Sequence, residues 1–493
     1  MKSLRKKRAQ IMRFQKENQP KGLYTIFLTG LWERFGFYTL QAIIILYMSK
    51  SLSLSDSKAY LLFAVFTALL YVTPIIGGYL ADHYIGVKRS IIMGSILLMV
   101  GYSVAAVNNI NAFFFGLSII ICANGLFKPN ISTIVGTLYD KNDSRRDGGY
   151  TLFYMGINIG ALVPPLISGY VVRHYGWHAG FTMAAIGMFV GFLIFMWKKK
   201  SLGKHGDTPQ HSPLNKKGLP KLKFNLLFYS GIILTILLCY YIFHIPTEIN
   251  LILNFSAVVI AAVVFAFMLK ETPAQRKKMF ASVVLIAISV GFWAMYNQTF
   301  TSLMLYADRN VDKTMLGFHL DTEMTQFFNC FFIILLSPFL SKLWIKLGRR
   351  DLDPSIPAKF AASILFMSLS FFLLAVISKY FSHNGLVSIW WLALCYLLQT
   401  VGELLISPIG LSMITVLSPP KLVGLMMGVW FFAQAEAGDL TGVIAKVATI
   451  PQHLSAIQSL PIYTHAFMTY GLIMLVLCLF SFSLVPFLKK LIH

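Results

Sequence analysis

Fourteen separate stretches of this 493-residue chain are apolar enough to be candidate membrane spans, each close to the roughly 20 residues a helix needs to cross a bilayer. They lie at residues 23–48, 59–81, 89–107, 111–136, 151–172, 178–197, 224–243, 249–269, 280–304, 324–346, 358–379, 386–415, 423–446 and 465–488. Lipid offers no partner to an open backbone N–H or C=O, so a chain of such stretches must fold as a bundle of helices. The expected class is therefore an all-α membrane protein. Charged residues make up 12% of the chain, about half the ~25% of a soluble protein. A single soluble core could not hide the remainder.

The basic residues say which way the helices run. With the N-terminus in the cytoplasm, the loops expected inside carry Lys88–Arg89, Lys141 with Arg145 and Arg146, a block from Lys198 to Lys223, Arg276 to Lys278, Lys342 to Arg350, Lys421, and Lys489–Lys490. The intervening loops at 107–112 and 244–250 are poor in Lys and Arg, and 306–323 has mixed charge. This is the positive-inside pattern with both termini cytoplasmic and an even number of crossings. Twelve against fourteen depends on whether 224–243 and 249–269 both cross. The net charge of +23 is thereby explained by anionic lipid rather than nucleic acid. The charged N-terminus lacks a small-residue cleavage site, which predicts no removed signal peptide.

The spans divide into two sets of six. The expected organisation is a basic tail at 1–22, a six-helix bundle at 23–197, a basic linker at 198–223, an extra helix pair at 224–269 and a second six-helix bundle at 270–490. The Lys, Gly, Pro and Ser content of the linker predicts a mobile segment. Six-plus-six is a common plan of secondary transporters, which hold substrate between the halves. No Gly-rich loop ending in Gly-Lys-Ser or Gly-Lys-Thr is present, which argues against an ATP-driven pump. Cys122, Cys239, Cys330, Cys395 and Cys478 lie in apolar stretches without metal-ligand spacing, so no metal site is expected.

Charges inside spans cost about 2.5–3.5 kcal/mol each on insertion scales and mark function by default. Glu33, Arg34, Lys128 and Glu403 are the four that stand out. Two acids and two bases sum to zero, which predicts mutual pairing. A carboxylate whose cationic partner moves away can exchange a proton. The inert alternative is a static ion-pair lock. His83, His174, His178 and His244 lie near span ends, where interfacial anchoring is the expected role.

Six stretches, in order, carry a more specific signal. They are 32–41 (WERFGFYTLQ), 71–78 (YVTPIIGG), 124–132 (NGLFKPNIS), 153–160 (FYMGINIG), 402–410 (GELLISPIG) and 424–430 (GLMMGVW). Together they resemble the proton-dependent oligopeptide transporter family. The segment 78–89, with Gly78, Asp82, Gly86 and Arg89, resembles the loop after the second span of the major facilitator superfamily. The resemblance implies a major facilitator fold of two six-helix bundles, with the extra pair between them for fourteen spans in all. It also implies import of di- and tripeptides by alternating access, no enzymatic activity, a bacterial inner membrane, and protons as coupling ion with no other cofactor. A monomer is expected.

The resemblance assigns roles to residues. Arg34 and Lys128 would hold the peptide carboxylate and Glu403 its ammonium group. Asn158 and Asn329 would bond the peptide backbone. Tyr38, Tyr71, Trp293, Ser407 and Trp430 would shape side-chain pockets, although each aromatic could equally be packing between helices. Glu33, Arg34, Lys128 and Glu403 would carry proton coupling or its salt bridges. Departures accompany the match. Gly30 stands where the family has a Glu, Phe37 where Tyr is usual, Gln41 where some members have a base, and Asn297 where an acid is frequent. Two titratable sites are thus missing. A facilitator or differently coupled carrier of a modified peptide, a metallophore or another amphipathic metabolite remains the competing expectation. A non-transporting membrane sensor is a remote one.

Overall fold

The structure is a computed structural model that describes residues 19–139, 146–215, 218–246, 248–348, 350, 352–419, 422–451 and 454–492. The tail residues up to 18, and with them Lys141, Arg145 and Lys421, lie outside the described residues. Six helices come first: α1 (Lys21–Leu46), α2 (Asp56–Leu80), α3 (Val87–Ala105), α4 (Ile110–Thr137), α5 (Arg146–Tyr175) and α6 (Trp177–Lys198). Two follow: α7 (Leu219–His244) and α8 (Glu248–Leu269). The remainder comprises α9 (Pro273–Tyr296), a short α10 (Ser302–Asn310), α11 (Phe327–Gly348), α12 (Ile356–Tyr380), α13 (Ile389–Leu417), α14 (Val423–Ala445) and α15 (Ala456–Ile492). A 3-10 turn at Asn297–Phe300 links α9 to α10. Among the described residues, eleven helices are long and apolar enough to cross a membrane. The protein is a multi-pass integral membrane protein.

Each of the fourteen apolar stretches falls on a long helix, and the departures from all-α are small. Val311–Asp312 pairs in parallel with Val387–Ser388, and Thr314–Met315 folds back on Phe318–His319. α1 packs on α5 and α6, α3 on α4 and α6, and α2 on α4. In the second set α12 packs on α13 and α15, and α9 on α13, α14 and α15. The sets meet where α2 crosses α14 and α5 approaches α11. Gly438 and Gly442 let that first crossing close, since a Cβ at either would come within 3 Å of Ala68 or Ala64.

Among the described residues the two extra helices do not pack closely along each other. α7 lies on α4 and α2, whereas α8 lies on α14 and α9. Each is attached to a different half, which the expectation of a pair did not anticipate. The linker makes defined contacts. Within it, residues 203–212 contact the turn between α2 and α3. Lys88 N–H donates to Gly206 O at 2.9 Å, Lys88 Nζ binds Asp207 at 2.7 Å, and Ser212 Oγ donates to Tyr84 O. Gly86 is needed at that turn. Its φ is 83°, and a Cβ there would lie 2.7 Å from Thr208 N. Gly-rich composition signals turns but does not reveal what they dock against. Gly78 lies within α2, Arg89 is exposed on α3, and Asp82 is exposed.

Prolines inside helices leave carbonyls unpaired. Pro74 would orphan Leu70 O, and Asn124 of α4 donates its amide to that oxygen at 3.0 Å. Thr73 adds a bond to Ile121 O at 2.9 Å. This seam is backed by Gly77 against Gly125, where a Cβ on Gly77 would sit 2.0 Å from Gly125 O. Gly77→Val is expected to cost about 3 kcal/mol or more by overpacking. A fall of several degrees in the thermal unfolding midpoint in detergent checks this, and an unchanged midpoint contradicts the seam.

Candidate functional site

The four costly charges are brought to the same region, but they do not pair as their sum suggested. Arg34 binds its neighbour Glu33 in a two-pronged contact, Nε to Oε2 at 2.6 Å and Nη2 to Oε1 at 2.7 Å. Glu33 is 2% exposed, so its carboxylate is committed to that contact. Lys128 has no ion pair among the described residues. Its ammonium stands 4.3 Å from the centre of the Tyr71 ring. Glu403, on α13, accepts from Asn329 Nδ2 at 2.9 Å. Helical spacing does not predict Glu33 as the partner of Arg34, because residues one position apart on a helix do not ordinarily face each other.

Tyr38 and Tyr71 bridge the gap between these groups. Both stand within electrostatic reach of Arg34 on the first half and Glu403 on the second. Beside Tyr38 lies a narrow cavity of about 10 Å³, lined by Tyr38 and Pro165 from the first half and by Tyr296, Gln326, Asn329 and Tyr396 from the second. The cations Arg34 and Lys128 belong to the first half and the acid Glu403 to the second, so charge of opposite sign stands on the two halves. A dipolar ligand with separated positive and negative ends fits such a field.

The remaining expected residues are less uniform. Asn158 donates to Tyr154 O of its own helix at 2.8 Å. Asn329 is heavily used: its Nδ2 also donates to Thr400, and its Oδ1 accepts from Tyr296 at 3.2 Å. Trp293 packs edge-on against Phe292 and Tyr296, and its Nε1 has no partner among the described residues. Ser407 lies one turn after Glu403 on α13. Trp430 is buried with its ring on Gly410, where a Cβ would be 2.2 Å away, which is the geometry of helix packing. Gly30 is not an empty place: a Cβ there would meet the Phe153 ring at 3.1 Å, so an aromatic edge fills the space of a carboxylate. His83, His174 and His244 repeat one arrangement. Each ring stacks on or abuts a Tyr four residues earlier and bonds that residue's carbonyl. This suits anchoring at helix ends.

Three features were missed. Gln326 lines the cavity at 5% exposure, and neither its Oε1 nor its Nε2 has a partner among the described residues. Glu436 and Asp439 are two further acids on α14, and the rule that found the first four applies equally to 423–446. The third is a set of ties between halves at one end of the molecule. Arg309 grips Asp56 through Nη1 at 2.5 Å and Nη2 at 2.8 Å. Lys50 binds Asp308 at 2.6 Å, and Arg173 binds Asp321 at 2.9 Å. At the opposite end no ion pair joins the halves among the described residues, and Ile76, Tyr79, Tyr154 and Met155 are exposed.

Comparison with known proteins adds the following. Residues 88–460 match the family model described as the POT family. The dipeptide and tripeptide permease B of Photorhabdus asymbiotica is 34% identical over 479 residues, covering 96% of this chain and 97% of its own. The dipeptide and tripeptide permease A of Pectobacterium carotovorum is 36% identical over 458 residues, covering 92% and 89%. Among solved structures, a mutant of the peptide transporter POT in complex with alafosfalin superposes with a TM-score of 0.83 at 34% identity, covering 96% of each chain.

Proposed function

For this chain, which belongs to the POT family, we propose a cycle of alternating access that imports di- and tripeptides through the cavity between the two halves. It is a transporter and not an enzyme. The observation that carries the reading is the division of charge: Lys128 and Arg34 on one wall, Glu403 on the other, with Tyr38 and Tyr71 in reach of both. A peptide's carboxylate is attracted to the first wall and its ammonium group to the second. Lys128 is the freer cation, since Arg34 is already held by Glu33. Gln326 is the freer amide, since Asn329 already serves Glu403, Thr400 and Tyr296. We assign Gln326 to the peptide backbone beside Asn158 and Asn329. Trp293, Ser407 and Trp430 would shape the side-chain space.

The basic loops orient the chain with both termini in the cytoplasm of a bacterial inner membrane. All fourteen helices would cross, the six-helix bundles being 23–197 and 270–490. In that orientation the Asp56–Arg309 end is the outer end. Its closure makes this the inward-facing state, and the release of these pairs would accompany outward opening. The protein would work as a monomer.

Protons would be the coupling ion, through Glu403 and Glu33, with Lys128 and Arg34 as their moving partners. The usual extra carboxylates are absent at Gly30 and Asn297. Uptake of a labelled dipeptide into proteoliposomes, with and without an inward proton gradient, tests this. A gradient effect of only a few-fold is expected, and it should vanish in Glu403→Gln. Strong electrogenic uptake would contradict the weakened coupling. Failure of dialanine to compete, in folded protein, would shift the cargo to a modified peptide or other amphipathic metabolite, the reading that the two missing acids favour.

A further inference from the structure

One groove on the protein has no part in the central cavity. It lies between α7 and the wall made by α2 and α4, and it measures about 500 Å³. Its lining is almost wholly carbon, with Ile76 and Leu80 from α2, Leu126 from α4, and Phe224, Phe228 and Gly231 from α7 among its walls. Gly231 keeps it open, since a Cβ there would meet no atom within 4 Å.

Two further observations identify an occupant. The first is length. On α7 the groove runs from Phe224 to Thr235, which is about 17 Å at the rise of an α-helix. That matches one leaflet of a hydrocarbon core about 30 Å thick. The second is charge. The lining positions 224, 228, 231 and 235 follow helical spacing, and the stripe continues N-terminally to Lys221. Lys221 and Lys223 are exposed and have no ion pair among the described residues. The groove therefore begins under lysines at the cytoplasmic boundary and ends near mid-membrane. Basic residues in that position attract anionic head groups.

We propose that this groove binds one acyl chain of an anionic phospholipid, whose phosphate is held by Lys221. The lipid would wedge α7 against α2 and α4. This would give the extra helix a role as a lipid clasp on the first half only, because α8 sits on the second half. The site lies on the outer face of the first half and needs no assumption about cargo.

The test uses the full-length protein in detergent, supplied with palmitoyl-oleoyl phosphatidylglycerol or phosphatidylcholine. Native mass spectrometry counts retained lipids, and thermal unfolding reads their effect. One phosphatidylglycerol is expected to be retained, with a midpoint raised above that in phosphatidylcholine. Gly231→Leu should lower its occupancy about tenfold, the loss of roughly two buried methylenes. Lys221→Gln should lower it about fivefold, leaving phosphatidylcholine unchanged. Because Lys221 is exposed, that variant carries the test even should Gly231→Leu misfold. Equal retention of both lipids, or indifference of phosphatidylglycerol to Lys221→Gln, overturns the proposal. A mass of two chains that disappears with Gly231→Leu would make the occupant a second copy and overturn it as well.

Discussion

Lys128→Ala is expected to weaken dipeptide binding about 10- to 100-fold, corresponding to the ~1.5–3 kcal/mol of a hydrogen bond to a charged group. Lys128 stands 4.3 Å from the Tyr71 ring, with no carboxylate in ion-pair contact among the described residues. A cation with no ion-pair partner among the described residues, standing over the Tyr71 ring, is available to a ligand carboxylate. Arg34 differs, because a ligand must share it with Glu33 at 2.6 Å. The loss in Lys128→Ala should therefore exceed that in Arg34→Lys, which keeps the charge. The measurement is equilibrium binding of a dipeptide and of the same dipeptide amidated at its C-terminus. Amidation should cost the native protein much of its affinity and the variant little. A variant that still discriminates between the two ligands as the native protein does would remove Lys128 from carboxylate recognition.

Asp56→Asn is expected to loosen the outer end by about 2–3 kcal/mol, enough to change the ratio of closed to open states roughly 30- to 160-fold. Removing one partner of a buried pair leaves the other charge uncompensated, which costs ~3–5 kcal/mol when burial is complete. Asp56 is only 3% exposed, but the Arg309 side chain is 27% exposed, so water recovers part of that cost. Asp56 also accepts the Ile450 N–H at 3.3 Å, and Arg309 reaches Tyr463 at 3.3 Å. The pair thus ties α2 to three parts of the second half. Spin labels at the exposed positions Lys58 and Leu454 should report a population with longer separation. The charge swap Asp56→Arg with Arg309→Asp should shorten it again. An unchanged distance distribution in Asp56→Asn would show that the pair does not hold this end closed. Uptake should fall in the single variant, because a carrier that rests in one state completes fewer cycles.

What could be read from the amino-acid order alone was what depends on local spacing. Apolar stretches near 20 residues placed every long helix, since crossing a membrane depends on length and composition. Lone charges in those stretches identified Glu33, Arg34, Lys128 and Glu403, because their desolvation cost is independent of what lies opposite. Six ordered stretches, including 32–41 and 402–410, pointed to the family that comparison with known proteins shows. Tertiary structure decided every question of partner. It gave Arg34 to Glu33 and Glu403 to Asn329. It filled the space above Gly30 with Phe153 and spent Asn124 on the carbonyl freed by Pro74. It closed one end through Asp56 and Arg309, residues 253 positions apart. It docked the linker on the α2–α3 turn and sent α7 and α8 to different halves. Hydrophobic period and charge count are properties of neighbouring residues, whereas a hydrogen bond across helices depends on how distant segments pack.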